Sequence, residues 1–207
     1  MRPALTAASA SLFLVIFAGC VPQPAGSPAH PNPIIVREFA FSPGVVTLDP
    51  SFGFSLHRGS AGVPPRQRAA GVGRAAAFSL ADAITEQLIT SGYDAIRSDD
   101  AAPEPGARAL IVAGAFRQID EGRRRRVDAE NPSIAVDAEI GHQIAGTAPQ
   151  RITELHRDSR RVPRSGIAGV SARRRADTNL AATGVGAAIA RTVIETARLN
   201  NWPPAPR

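Results

Sequence analysis

The chain contains no lysine: all 24 of its basic residues are arginine. That absence excludes whole chemistries, among them a Schiff-base lysine, a phosphate-loop lysine and a serine–lysine dyad. Cysteine occurs once, so there is no intrachain disulfide framework and no thiolate site of the structural zinc kind. Tyrosine and tryptophan also occur once each. None of the aromatic residues is interleaved with the arginine runs as a base-stacking platform requires. The formal net charge is +6, and clustered arginine is the electrostatic footprint of phosphate binding. Even so, nucleic acid is not the expected partner, because the start of the chain points to export. Arginine without lysine, beside abundant alanine, glycine and proline, reads as a genomic composition bias.

Long apolar runs are equally scarce, and the first one carries the most information. Arg2 gives a small positive start, and Ser11-Leu12-Phe13-Leu14-Val15-Ile16-Phe17 is a short apolar stretch. Ala18-Gly19 then precede the sole thiol, Cys20. A charged start, an apolar core of this length and small residues at its end describe a secretory signal peptide over residues 1–19. Phe17-Ala18-Gly19-Cys20 resembles the bacterial lipobox, in which the cysteine takes a diacylglycerol and becomes the first residue after cleavage. Phe17 departs from the leucine usual at that place. The expectation is a lipidated Cys20 that anchors the protein in the bacterial cell envelope, at the outer membrane and facing the periplasm. Three duller alternatives stand beside it: an uncleaved anchor, ordinary cleavage without lipid, and a buried first helix. Ala4 to Val21 is uncharged, but Thr6, Ser9, Ser11 and Gly19 interrupt it. It lies at the bottom of the length range for a spanning helix of about 20 residues.

Residues 20–33 read as the lipidated cysteine and a proline-rich tether, too polar and stiff to pack. One domain over residues 34–202 follows, with a short tail at 203–207; the length suits one domain and not two. Ile34–Phe41 is β-branched and aromatic between proline signals and predicts a strand. After a Gly- and Ser-rich loop, Pro64-Pro65 opens a helix whose stripe is Val72, Ala76, Leu80, Ala83, Ile84 and Leu88. Ser91-Gly92 ends it. Ala109–Phe116 is apolar on both faces, which predicts a central strand. Ile134, Val136, Ala138 and Ile140 alternate with more polar neighbours and predict a half-buried strand, and Gln150–Arg157 a weaker one. Asp177–Leu199 predicts a second helix with Leu180, Val185, Ile189, Val193 and Thr196 on one side. The fold class expected is α+β, a small mixed sheet in β-α-β-β-β-α order with two helices packed on one face. The first two long strands should be parallel, and the last three an antiparallel meander.

Ile34 to Asp49, the alanine-rich helix from Arg68 to Gly92, and Leu110 to Gly122 follow one another as in a bacterial lipoprotein family of uncharacterised role. The chain resembles that family, domain of unknown function 4410, through the final helix and Trp202-Pro203. The resemblance implies a fold and a location and assigns no chemistry. Members carry a glycine-rich run after the Asp-Glu-Gly turn, where this chain has Arg123-Arg124-Arg125-Arg126.

Candidate chemistry is thin. Gly71-Val72-Gly73-Arg74-Ala75-Ala76 matches a dinucleotide pattern, but no strand precedes it, so close helix packing is the expected role. Gly184-Val185-Gly186 reads the same way. His30, His57, His142 and His156 are scattered, with no pair at metal-binding helical spacing. A Ser-His-Asp set has no strained nucleophile turn to support it. Asp120-Glu121 before Gly122 are expected to serve the turn. No catalytic residue, metal or cofactor is therefore assigned. The remaining candidate is an anionic-contact surface made by Arg123, Arg124, Arg125, Arg126, Arg173, Arg174 and Arg175. The bland reading is a solvated charge run; the functional one is a patch for anionic lipid headgroups, an acidic polymer or an envelope protein, each basic residue contributing about 1 kcal/mol at an anionic surface. The expected function is a membrane-anchored, non-enzymatic interaction module facing the envelope. The alternative is a hydrolase-like envelope enzyme whose active site the sequence does not mark.

Overall fold

The computed structural model describes residues 32–50, 62–103, 107–123, 130–162, 177–202 and 204. The strands are β1 (Ile34–Val36), β2 (Val46–Thr47), β3 (Ala95–Arg97), β4 (Arg108–Asp120), β5 (Ser133–Ile144) and β6 (Gln150–Asp158). Two helices, α1 (Pro65–Thr90) and α2 (Thr178–Leu199), complete the domain. The strands form one mixed sheet in the order β3-β1-β4-β5-β6, with β2 also paired to β4. β1 lies parallel to both β3 and β4, and β5 runs antiparallel to both β4 and β6. The α+β class and the antiparallel meander expected from the pattern are both present.

The helices start and stop where the sequence marks them. α1 has proline in its first turn and ends at Ser91, followed by Gly92 at φ 88, the left-handed position that glycine fills without a Cβ clash. The Asp177 side chain accepts from the Leu180 amide at 2.8 Å and caps α2. Every member of the expected α1 stripe is buried. On α2, Val185, Ile189, Val193 and Thr196 are buried, whereas Leu180 is only half-buried. Both stripes join one core with Ile34, Val36, Leu110, Val112, Phe116, Ile134, Val136 and Ile140 from a single face of the sheet.

Three departures from the expected elements have simple causes. The first strand is three residues long, not eight, because the chain leaves the ladder to bury Phe39 edge-on against Phe116, with ring centroids 6.4 Å apart. It meets β4 again at Ala40, opposite Ala115, before β2 pairs with the far end of β4. β2 and β3 are two and three residues long, too short to show an alternation. β4 runs to Asp120, beyond the expected Phe116, because a bulge between Phe116 and Gln118 absorbs Arg117 and brings Ile119 back to the core opposite Ile134. The double-sided apolar character of β4 also has its explanation. Ile35, Ala109 and Ile111 on the second face are buried with Ala101, in the connection from β3 to β4.

The helix glycines divide by contact. A Cβ on Gly73 would overlap the Phe41 ring, and one on Gly186 would sit 2.7 Å from the Leu80 carbonyl oxygen and 3.0 Å from the Ala83 Cβ. A Cβ on Gly71 or Gly184 would meet nothing within 4 Å. One glycine of each pair thus permits close packing. Gly184→Ala should raise stability by about 0.5–1 kcal/mol through helix propensity. Gly186→Ala should lower it by about 1–3 kcal/mol through overpacking between the helices. Urea midpoints of the two variants, compared with the parent, check this opposition of sign.

Candidate functional site

The face of β5 and β6 turned away from the helices is polar, as is the Arg117 end of β4, because the register places one set of alternating residues there. Asp137 lies opposite His156, Glu139 opposite Glu154, and Gly141 opposite Arg151. The facing glutamates would repel, and Arg151 lies between them, 3.0 Å from Glu154 Oε2 and 3.4 Å from Glu139 Oε1. Asp137 Oδ1 takes two partners: Nε of Arg117 at 2.9 Å and Nδ1 of His156 at 2.6 Å. Arg117 follows core-facing Phe116 and so falls on this face by alternation.

Beyond His156 the sheet edge opens into a surface cavity of about 620 Å³. Its lining comprises Arg117, His156, Arg157, Asp158, Arg161, Val162 and, from α2, Ala188. Arg157 is held in place: its NH2 donates to Thr192 Oγ1 at 3.0 Å and its NH1 to the His156 carbonyl at 3.2 Å. Asp158 Oδ1 accepts from the Arg160 amide at 2.9 Å, while the Arg160 guanidinium donates to Ser133 Oγ at 2.9 Å. The Arg161 side chain has no acceptor among the described residues. The outer edge of β6 pairs with no strand among the described residues.

A carboxylate bonded to an imidazole nitrogen is the arrangement that orients the base of a nucleophilic triad. No hydroxyl or thiol bonds to His156 among the described residues, and Asp137 Oδ1 lies between Arg117 Nε and His156 Nδ1. Nor do three or more His, Cys, Asp or Glu side chains gather as metal ligands among the described residues. Asp120 Oδ1 accepts from the Gly122 amide at 2.8 Å, and Gly122 has φ 69, so Asp120 serves the turn as the sequence suggests. Glu121 is buried and accepts from the amide of buried Asp49 at 3.2 Å, which fixes the chain after β2.

Of Cys20 and the seven arginines expected to form an anionic-contact surface, Arg123 is described. Its amide and carbonyl pair with Glu130, and its Nε lies 3.4 Å from Glu130 Oε2. Cys20, Arg124, Arg125, Arg126, Arg173, Arg174 and Arg175 lie outside the described residues. The cavity arginines Arg117, Arg157 and Arg161 were not grouped by sequence reasoning. The available signal was the hairpin turn at Ala145–Pro149, which fixes the register and therefore the neighbours of Asp137 and His156. The bulge beside Arg117 has no such signal.

Two titratable groups at the other end of the sheet depart from ordinary behaviour. The His142 ring stacks on Trp202, with centroids 6.2 Å apart, and burial, then the charge of Arg108, lower its pKa. Burial raises the Tyr93 pKa, which Arg198 partly offsets; its hydroxyl donates to the Trp202 carbonyl at 3.5 Å. No helix among the described residues is long and apolar enough to cross a membrane. No protein-family model matches the chain, and no curated protein matches it.

Because His142 is protonated more readily in the unfolded chain, unfolding takes up a proton as pH falls below the ordinary imidazole value of 6.5. Its contribution is fully present above that value and is lost as pH falls through the lower folded value. His142→Phe keeps a ring on Trp202 and removes the titration. Denaturation between pH 8 and pH 5 should show a shallower acid-side loss of stability in the variant than in the parent.

Proposed function

We propose that this protein is a lipid-anchored module of the bacterial cell envelope that binds a partner through its polar sheet face and basic surface, without catalysis. The observation that carries the reading is the sole cysteine, Cys20, at the end of the apolar run and directly after Ala18-Gly19. A proline-rich stretch then separates it from the folded domain. At about 3.1 Å per residue, thirteen extended residues would hold the domain up to roughly 40 Å from the bilayer. A diacyl anchor contributes about 0.8 kcal/mol per buried methylene, enough to retain a domain of this size at the membrane.

Support for an interaction role comes from the shape of the exposed side. The outer edge of β6, unpaired among the described residues, and the polar face of β5 and β6 with Arg117 of β4 form a surface of paired charges. The order of strand, helix and strand also fits membership of the lipoprotein family named above, which we propose on those residues alone.

Mass spectrometry of the mature amino terminus should find an acylated Cys20, and Cys20→Ser should move the protein from the membrane to the soluble fraction. An unmodified start elsewhere, or an unchanged distribution, contradicts the anchor. Replacing Arg123–Arg126 and Arg173–Arg175 with Gln should weaken salt-sensitive binding to anionic vesicles. The change in stability should stay within about 0.5 kcal/mol, as measured by denaturation alongside vesicle co-sedimentation.

A further inference from the structure

We propose that the cavity at the end of β6 binds a phosphate monoester, held as its dianion by Arg117, Arg157 and Arg161. The proposal rests on the reading of the domain as an interaction module and names the chemistry of one of its ligands.

Three guanidiniums reach the cavity from separate places: Arg117 from the bulge in β4, Arg157 from β6 and Arg161 from the turn after it. Against them stand Asp158 in the lining and Asp137, which is paired with Arg117, so the arginine and carboxylate charges leave a net of one positive. Arg157 and Arg161 pair with no carboxylate among the described residues, and these two guanidiniums are the charges a dianion would meet. A planar carboxylate is satisfied by a single guanidinium fork, whereas a tetrahedral phosphate presents three peripheral oxygens to several forks at once.

The donors are also available. Each guanidinium has five N–H groups. Arg117 spends its Nε on Asp137, and its two terminal nitrogens have no acceptor among the described residues. Arg157 is fixed by Thr192 Oγ1 and the His156 carbonyl, with donors to spare. Two of the three side chains are therefore ordered before a ligand arrives, which lowers the entropy cost of binding. His156, tied to Asp137 through Nδ1, lies on the same rim.

The cavity's size and its apolar wall favour an ester over bare phosphate. About 620 Å³ falls within the range of small-molecule sites, roughly 300–1,000 Å³. Val162 and Ala188 line one part of it and offer contact to the carbon portion of the ester. Two sources supply such a group: the terminal phosphate of a lipid headgroup, or a soluble phosphate ester.

Calorimetric titration of the full chain with glycerol 3-phosphate, with glycerol as the uncharged control, tests the proposal. Saturable binding that weakens as salt rises is expected. Arg117→Gln and Arg161→Gln should each weaken it by roughly tenfold or more, as loss of charge-assisted hydrogen bonds does. Arg74→Gln, exposed on α1, should leave it unchanged. Arg161→Gln touches no described side-chain partner, so its effect is read without a change in folding.

Vesicles of phosphatidylcholine doped with phosphatidic acid, or at matched charge with phosphatidylglycerol, distinguish the sources when offered to the Cys20→Ser chain. A preference for phosphatidic acid that Arg161→Gln abolishes assigns the headgroup. An effect confined to glycerol 3-phosphate assigns a soluble ester. No saturable heat, or equal losses in Arg74→Gln and Arg161→Gln, overturns the proposal. If vesicle binding depends on Arg123–Arg126 and Arg173–Arg175 while glycerol 3-phosphate gives no heat, the cavity fails and the interaction module stands.

Discussion

The antiparallel ladder between β4 and β5, paired from Arg108 with Ile144 to Asp120 with Ser133, is the interaction on which the other elements depend. β1 and β2 are both registered against the free flank of β4, and β6 against the free flank of β5. Because successive residues point to opposite faces, this one register decides which face collects Leu110, Val112, Ile134, Val136 and Ile140. The two helices then have a single apolar surface to cover. Slipping the ladder by one residue would carry Asp137 and Glu139 under the helices.

The irregularity in that ladder links the fold to its candidate site. Without the extra residue at position 117, the pairing of Phe116 with Val136 would lead directly to the pairing of Gln118 with Ala135. Arg117 sits at the bulge, on the polar face next after Phe116, where Asp137 holds its Nε, and the bulge then returns Ile119 to the core. Arg157, two residues after Leu155, lies on the helix side and is held by Thr192 of α2. The cavity therefore forms where the sheet's edge lets groups from both faces meet. Its charge comes from strand geometry, and the arginine runs that stand out in the sequence are not needed to make it.

The long elements were legible because burial imposes a period on them. Val72, Ala76, Leu80, Ala83, Ile84 and Leu88 read as a helix face, and Ile134 to Ile140 as a strand face, from spacing alone. The proline at the start of α1, Asp177 at the cap of α2 and Gly92 after α1 marked their limits through local hydrogen bonding and sterics. What escaped was fixed by contacts between distant segments. β2 and β3 exist because β4 and β1 offer ladder partners, and Phe39 leaves its strand because Phe116 offers a pocket. The candidate site was illegible for the same reason: Arg117, Asp137 and His156 come from three strands, and only the register brings them together.

Amide hydrogen exchange of the folded domain measures this hierarchy most directly. If β4 and β5 organise the sheet and β6 is a free edge, the slowest amides should lie in β4 and β5, around Val112, Val136 and Ile140. β1 should be comparably slow despite its length, since it lies between β3 and β4. Alternate amides of β6 should exchange much faster, because an edge strand directs every second N–H outward. Uniform protection of β6 equal to that of β5, or exchange in β4 as fast as in β6, would contradict the account.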